Sequence, residues 1–169
     1  MPTMTQEEYY VAAHDRLEDA NALYGADRYT GALYLAGCAM EAMMWAFIPA
    51  EDVGERGRHN FFRLFQAGLD AKAKERFAIT HRSGAALTAS QENRAREQFL
   101  TVGANLTEAS VLWHNSIRYH TASMVSVRVR KSQSFRTWAK GDLLKAAVNR
   151  LLSIASSIFL IGEREWRGK

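Results

Sequence analysis

Hydrophobic positions recur at helical spacing over most of this chain. Tyr10, Ala13, Leu17, Ala20 and Tyr24 lie three or four residues apart, the interval that brings side chains onto one helix face. Thr5 followed by Glu8 is a capping-box pattern, so a first helix is predicted over 5–25, ending near Gly25. Asp27 stands where an N-cap belongs for a second helix over 28–48. There Ala32, Leu35, Ala39, Met43 and Ala46 form a stripe, Gly31, Gly37 and Ala42 leave room for close helix approach, and Pro49 ends the run. His59 or Asn60 opens a third helical pattern, "FFRLFQAGLDAKAKERFAI", with a break at Gly68. "THRSGAALTASQEN" reads as a loop, and a longer helix follows over about 91–117 with Phe99, Val102, Leu106, Ala109, Leu112 and Trp113 in period. The period then fails. Val125, Val127 and Val129 alternate with Ser126, Arg128 and Arg130, the two-residue repeat of an extended segment or short edge strand. Gly141 and Asp142 restart a helix to about 165, with Leu143, Ala147, Leu151, Ile154, Ile158 and Ile161 inward.

These elements predict an all-α protein: an antiparallel up-and-down bundle of four to five helices, with a basic extended segment before the last helix. No repeat or linker divides the chain, so residues 1–169 are expected to form a single domain. The last helix also carries Leu144, Val148, Leu152 and Leu160 off its inner stripe. A helix apolar most of the way round needs cover on two sides, and a second subunit could supply the outer one.

With 47% apolar residues and only two prolines, the composition suits long helices. "MPTMTQEEYY" lacks the basic-then-apolar order of a signal peptide. Glu41 interrupts one strongly apolar stretch, and Lys145 and Arg150 the other, so no membrane span and a cytoplasmic location are expected. Cys38 has no intrachain mate for a disulfide and reads as an inert core thiol.

The net charge of +4 is unevenly placed. Between Glu108 and Asp142 there is no acidic residue, while Arg118, Arg128, Arg130, Lys131, Arg136 and Lys140 contribute +6. The positive excess is one block. Together with Tyr119, Phe135 and Trp138 it has the make-up of a surface that tracks phosphates and stacks bases, although a solvated basic loop would share that composition.

Three segments, "RYTGALYLAGCAMEAMM" (28–44), "HNFFRLFQAGL" (59–69) and "WHNSIRYH" (113–120), occur in an order similar to that of the HEPN family of all-helical nucleotide-binding and RNA-processing domains. The first resembles the family's second helix, where an aromatic-Ala-Gly run leads into a Glu. The second resembles its His-polar-apolar-apolar turn, and the third the Trp and Arg-Tyr that end its late helix. The resemblance spans about 5–160. It implies a helical bundle that pairs as a homodimer and handles nucleotide or RNA at the dimer cleft, often beside a nucleotidyltransferase or a toxin-antitoxin type partner. It also implies ligand contacts at Arg118, Tyr119, Glu41 and His59, extended by Arg128, Arg130 and Lys131 of the basic block.

Ribonuclease members of the family have Arg, four to six residues, then His. Here Arg118 and His120 have one residue between them, and the formal fit is Arg76 to His81 in "RFAITH". The catalytic candidates are therefore Arg76, His81 and His120, with His as acid/base and Arg stabilising the charge on phosphorus, in a metal-independent ribonuclease. A non-catalytic interaction scaffold is the remaining alternative.

Glu41 is the one charge in an otherwise apolar run, and such a group is paired, protonated or turned to a polar cleft. His59 and Arg118 are its candidate partners, Arg118 the preferred one. The pairing would either tie helices together or orient Arg118 for an anionic ligand. No metal or other cofactor is expected: His14, His59, His81, His114 and His120 form no HExxH motif or i,i+4 pair, and neither a GxSxG elbow nor a phosphate loop is present.

Overall fold

The computed structural model describes residues 4–48, 60, 61, 63, 64, 66–68, 88–131 and 142–167. The described residues are helical, with five α-helices in order and no strand: α1 (Gln6–Gly25), α2 (Tyr29–Trp45), α3 (Ala89–Leu112), α4 (Ala122–Lys131) and α5 (Leu143–Arg167). A 3-10 turn at Asn115–Tyr119 joins α3 to α4. Residues 61, 63, 64 and 66–68 are also helical.

Local side-chain caps set most of the helix starts. The Thr5 hydroxyl accepts from the Glu8 amide at 3.1 Å, and the Glu8 carboxylate accepts from the Thr5 amide at 2.6 Å, which is the expected capping box. Asn60 Oδ1 accepts from the Arg63 amide at 3.2 Å. Asp142 Oδ1 accepts from the amides of Leu144 and Lys145 at 2.9 and 3.2 Å. Asp27 differs from its expected role. It adopts left-handed backbone (φ 57°), a conformation Asp tolerates better than most residues, and its carboxylate accepts from the Tyr29 hydroxyl. Arg28 becomes the N-cap of α2, with no side-chain capping bond.

The extended segment is corrected. Residues 122–131 form α4, with Val125 and Val129 buried and Val127 half exposed. Two valines four residues apart share a helix face, so the alternation satisfied both periods and packing chose the helix.

α2 is the centre of the molecule. It packs on α1 and α5 and touches α4 and the 3-10 turn. Ala32, Leu33, Ala36, Gly37, Ala39, Met40, Met43 and Met44 are all buried, a wider face than the single stripe expected, whereas Leu35 is only half-buried. Tyr9 stacks on Trp45 (centroids 5.6 Å apart) while Leu23 lies against Gly31, so α1 and α2 run in opposite directions. Lys145 sits over Tyr29, and Gly162 against Met43, so α2 and α5 run the same way. Asn105–Ser157 (3.2 Å) and Glu108–Arg150 link α3 to an oppositely directed α5.

The second apolar face of α5 is covered within the chain. Leu144, Val148 and Leu152 are buried together with Ala147, Leu151, Ile154, Ala155, Ile158 and Phe159, leaving Leu160 57% exposed. A second subunit is therefore not needed to hide that face. Leu143–Arg164 is also long and apolar enough to cross a bilayer by length and composition, contrary to the expectation drawn from Lys145 and Arg150. Half of its most apolar window is buried inside the protein, and Arg150 pairs with Glu108, the arrangement of a core helix.

Candidate functional site

Trp113, at the end of α3, organises the region of interest. Its side chain is buried and its Nε1 donates to the Tyr34 carbonyl at 3.1 Å. One face of the indole stacks on Phe61, with centroids 4.7 Å apart and planes 13° from parallel. The ring also presses on Gly37, where a Cβ would stand 2.0 Å from Nε1. Gly37, Phe61 and Trp113 come from the three segments that carry the family resemblance, and they meet in one contact.

The chain then makes its 3-10 turn. His114 Nδ1 accepts from the Ser116 amide at 3.2 Å, and Ile117 is fully buried. With both of these fixed, Arg118 and Tyr119 are left on the outside, Tyr119 at 73% exposure. The Arg118 guanidinium lies over the Tyr119 ring, 4.7 Å from its centroid.

The Tyr34 hydroxyl is influenced by both the Cys38 thiol and the Arg118 cation. Hydrogen bonding to Cys38, followed by burial, raises the Tyr34 pKa, and the cation of Arg118 opposes the rise. Burial raises the Cys38 pKa further from its usual range; the Tyr34 hydrogen bond opposes this, Glu41 adds to it, and Arg16 and Arg118 pull the other way. Cys38 is thus a half-buried thiol whose ionised form is disfavoured, in keeping with the inert reading.

Glu41 and Arg118 share this neighbourhood, since the charge of each reaches Cys38. The Arg118 guanidinium is turned to the Tyr119 ring, and Glu41 is half-buried rather than sealed in the core.

α4 carries the rest of the described basic block. Arg130 and Lys131 are exposed and Arg128 is half-buried, all in the last helical turn. Cations there favour the helix dipole by about 0.3–1 kcal/mol each. That accounts for their position but not for the lack of acidic residues from 109 to 141. Met124 and Val127 are each 50% exposed beside them. His120 is half-buried, and its Nδ1 is buried with no hydrogen-bond partner among the described residues. An open groove of about 690 Å³ lies where the starts of α2, α4 and α5 meet, bordered by Arg28, Tyr29, Ala122 and Leu144.

His59, Arg76, His81, Phe135, Arg136, Trp138 and Lys140 lie outside the described residues. The role of Tyr34 was not legible beforehand, its signal being only a Tyr one turn before the single Cys of the sequence, whereas the close approach expected at Gly37 is filled by the Trp113 indole. The chain matches no known family model, no curated protein and no solved structure.

Proposed function

We propose that this chain is a HEPN-like domain that binds nucleotide or RNA phosphate through Arg118 and α4. The observation that carries the reading is the placing of Arg118, Arg128, Arg130 and Lys131 in one short stretch, where no acidic residue falls between Glu108 and Asp142. Such a surface attracts polyanions by releasing their counterions. The meeting of all three resemblance segments at Trp113 supports the family reading, and the homodimer and a nucleotidyltransferase or toxin-antitoxin partner rest on that resemblance. The test is binding of an RNA oligonucleotide across a salt series. About four phosphate contacts to a single strand give a slope of log affinity against log salt near −3; a salt-insensitive complex, or no binding at low salt, refutes the reading.

One observation favours a second reading, a metal-independent ribonuclease. His120 Nδ1 is buried without a partner two residues from the exposed Arg118, so the imidazole is not committed to an internal hydrogen bond at that atom. In this reading His120 moves the proton and Arg118 stabilises the charge on phosphorus. RNA cleavage that survives His120→Ala excludes it.

A further inference from the structure

We infer that the ligand of this surface is a single-stranded nucleic acid, with one unpaired base stacked on Tyr119. This rests on the phosphate-binding reading above and narrows it. Among the described residues Tyr119 is the most exposed large apolar side chain, at 73%. It is not on a loose tail, because it ends a 3-10 turn anchored by the fully buried Ile117 and opened by the His114–Ser116 cap. The Arg118 guanidinium rests against the ring and leaves most of it in solvent. A phenol ring backed by a cation is a flat, preorganised platform, and every base has a face to set on it. A base within a duplex already spends both faces on its neighbours, so the platform selects unpaired bases.

α4 extends the same pattern. Met124, Val127, Arg128 and Lys131 follow the i, i+3, i+4, i+7 spacing of one helix face, with Met124 and Val127 half exposed and Lys131 exposed. Duplex phosphates would require only the cations. Apolar side chains set among those cations suit the bare base faces of a single strand. An anionic membrane also accepts a cationic, partly apolar helix face, but it makes no use of a planar ring held beside an arginine.

The experiment compares the full chain with Tyr119→Ala, Tyr119→Phe and the double change Arg130→Glu/Lys131→Glu. Fluorescence anisotropy at low salt follows binding to a labelled single-stranded RNA of about twelve nucleotides, to a blunt duplex of the same sequence and to vesicles containing phosphatidylserine. The expected result is tighter binding of the single strand than of the duplex. Tyr119→Ala should weaken the single strand about tenfold or more and leave the duplex unchanged, while Tyr119→Phe stays within about twofold of the parent. Charge reversal should weaken both. If Tyr119→Ala leaves single-strand affinity intact while charge reversal lowers it, stacking is refuted and the phosphate reading stands. If no nucleic acid binds, or only the vesicles do, both are refuted.

Discussion

The indole of Trp113 occupies the space that a side chain at residue 37 would need. A Cβ on Gly37 would lie 2.0, 2.1 and 2.2 Å from three indole atoms, far inside contact distance, and the ring is stacked on Phe61 on its way to the Tyr34 carbonyl. Gly37→Ala should therefore expel the indole and cost about 3 kcal/mol or more, read as a lower urea midpoint by circular dichroism. Trp113→Phe alone should cost less, because it gives up one hydrogen bond and some packing without a clash. Wild-type stability in Gly37→Ala would mean that helix and indole do not meet as described.

α4 offers a test of helix against strand. In a helix Val125 and Val129 share the buried face and Val127 lies half exposed; in a strand all three would share one face. Val129→Ala should cost about 2 kcal/mol. Val127→Ala should stay within about 0.5 kcal/mol of the parent, since it removes little buried surface and Ala favours the helix. Equal losses at both positions would restore the extended segment.

Where structure depends on neighbours in sequence, the chain could be read directly. Thr5 with Glu8, Asn60 and Asp142 cap the elements they precede, and the stripe from Val102 to Trp113 is buried as its period required. Reading failed where two solutions fit locally and distant packing decided. Val125–Val129 satisfied both periods over a ten-residue helix. Asp27 had the chemistry of a cap, but the turn placed it in left-handed backbone and gave its carboxylate to Tyr29. The candidate site was half legible for the same reason. The charge of the block is visible residue by residue, whereas the placing of the Arg118 guanidinium over the Tyr119 ring and near enough to Tyr34 to pull its pKa down depends on how α2 and the 3-10 turn come together.

Cys38 and Tyr34 predict a loss of stability in alkali. Burial holds the Cys38 thiol above its usual value, and the bond to Cys38 holds the Tyr34 phenol above its own. Both groups keep their protons longer in the folded state than in the unfolded chain. Their contribution is complete below the unfolded thiol value of about 8.5 and is lost as pH rises through the raised folded values. The urea midpoint should fall above that pH, and Cys38→Ala should flatten the fall. Alkylation of native Cys38 by iodoacetamide at pH 8 should run several-fold slower than that of a free thiol, and slower still in Tyr34→Phe, which removes a hydrogen bond favouring the thiolate. A native thiol reacting as fast as free cysteine would contradict this arrangement.

Glu108 and Arg150 hold α3 to α5 by a two-pronged contact, with Nε to Oε1 at 2.7 Å and the second amine to Oε2 at 2.5 Å. The side chains are 29% and 38% exposed, so water screens the attraction but does not remove it. The fork geometry fixes both oxygens at once, which places the pair toward the upper end for surface ion pairs. A double-mutant cycle with Glu108→Gln and Arg150→Met should give a coupling of about 1 kcal/mol in low salt and a smaller one in molar salt. Arg150→Met should also destabilise less than Arg150→Ala, because Met keeps a long apolar side chain where Ala leaves only a methyl group. A coupling of zero at low salt would show that the contact does not hold the two helices together.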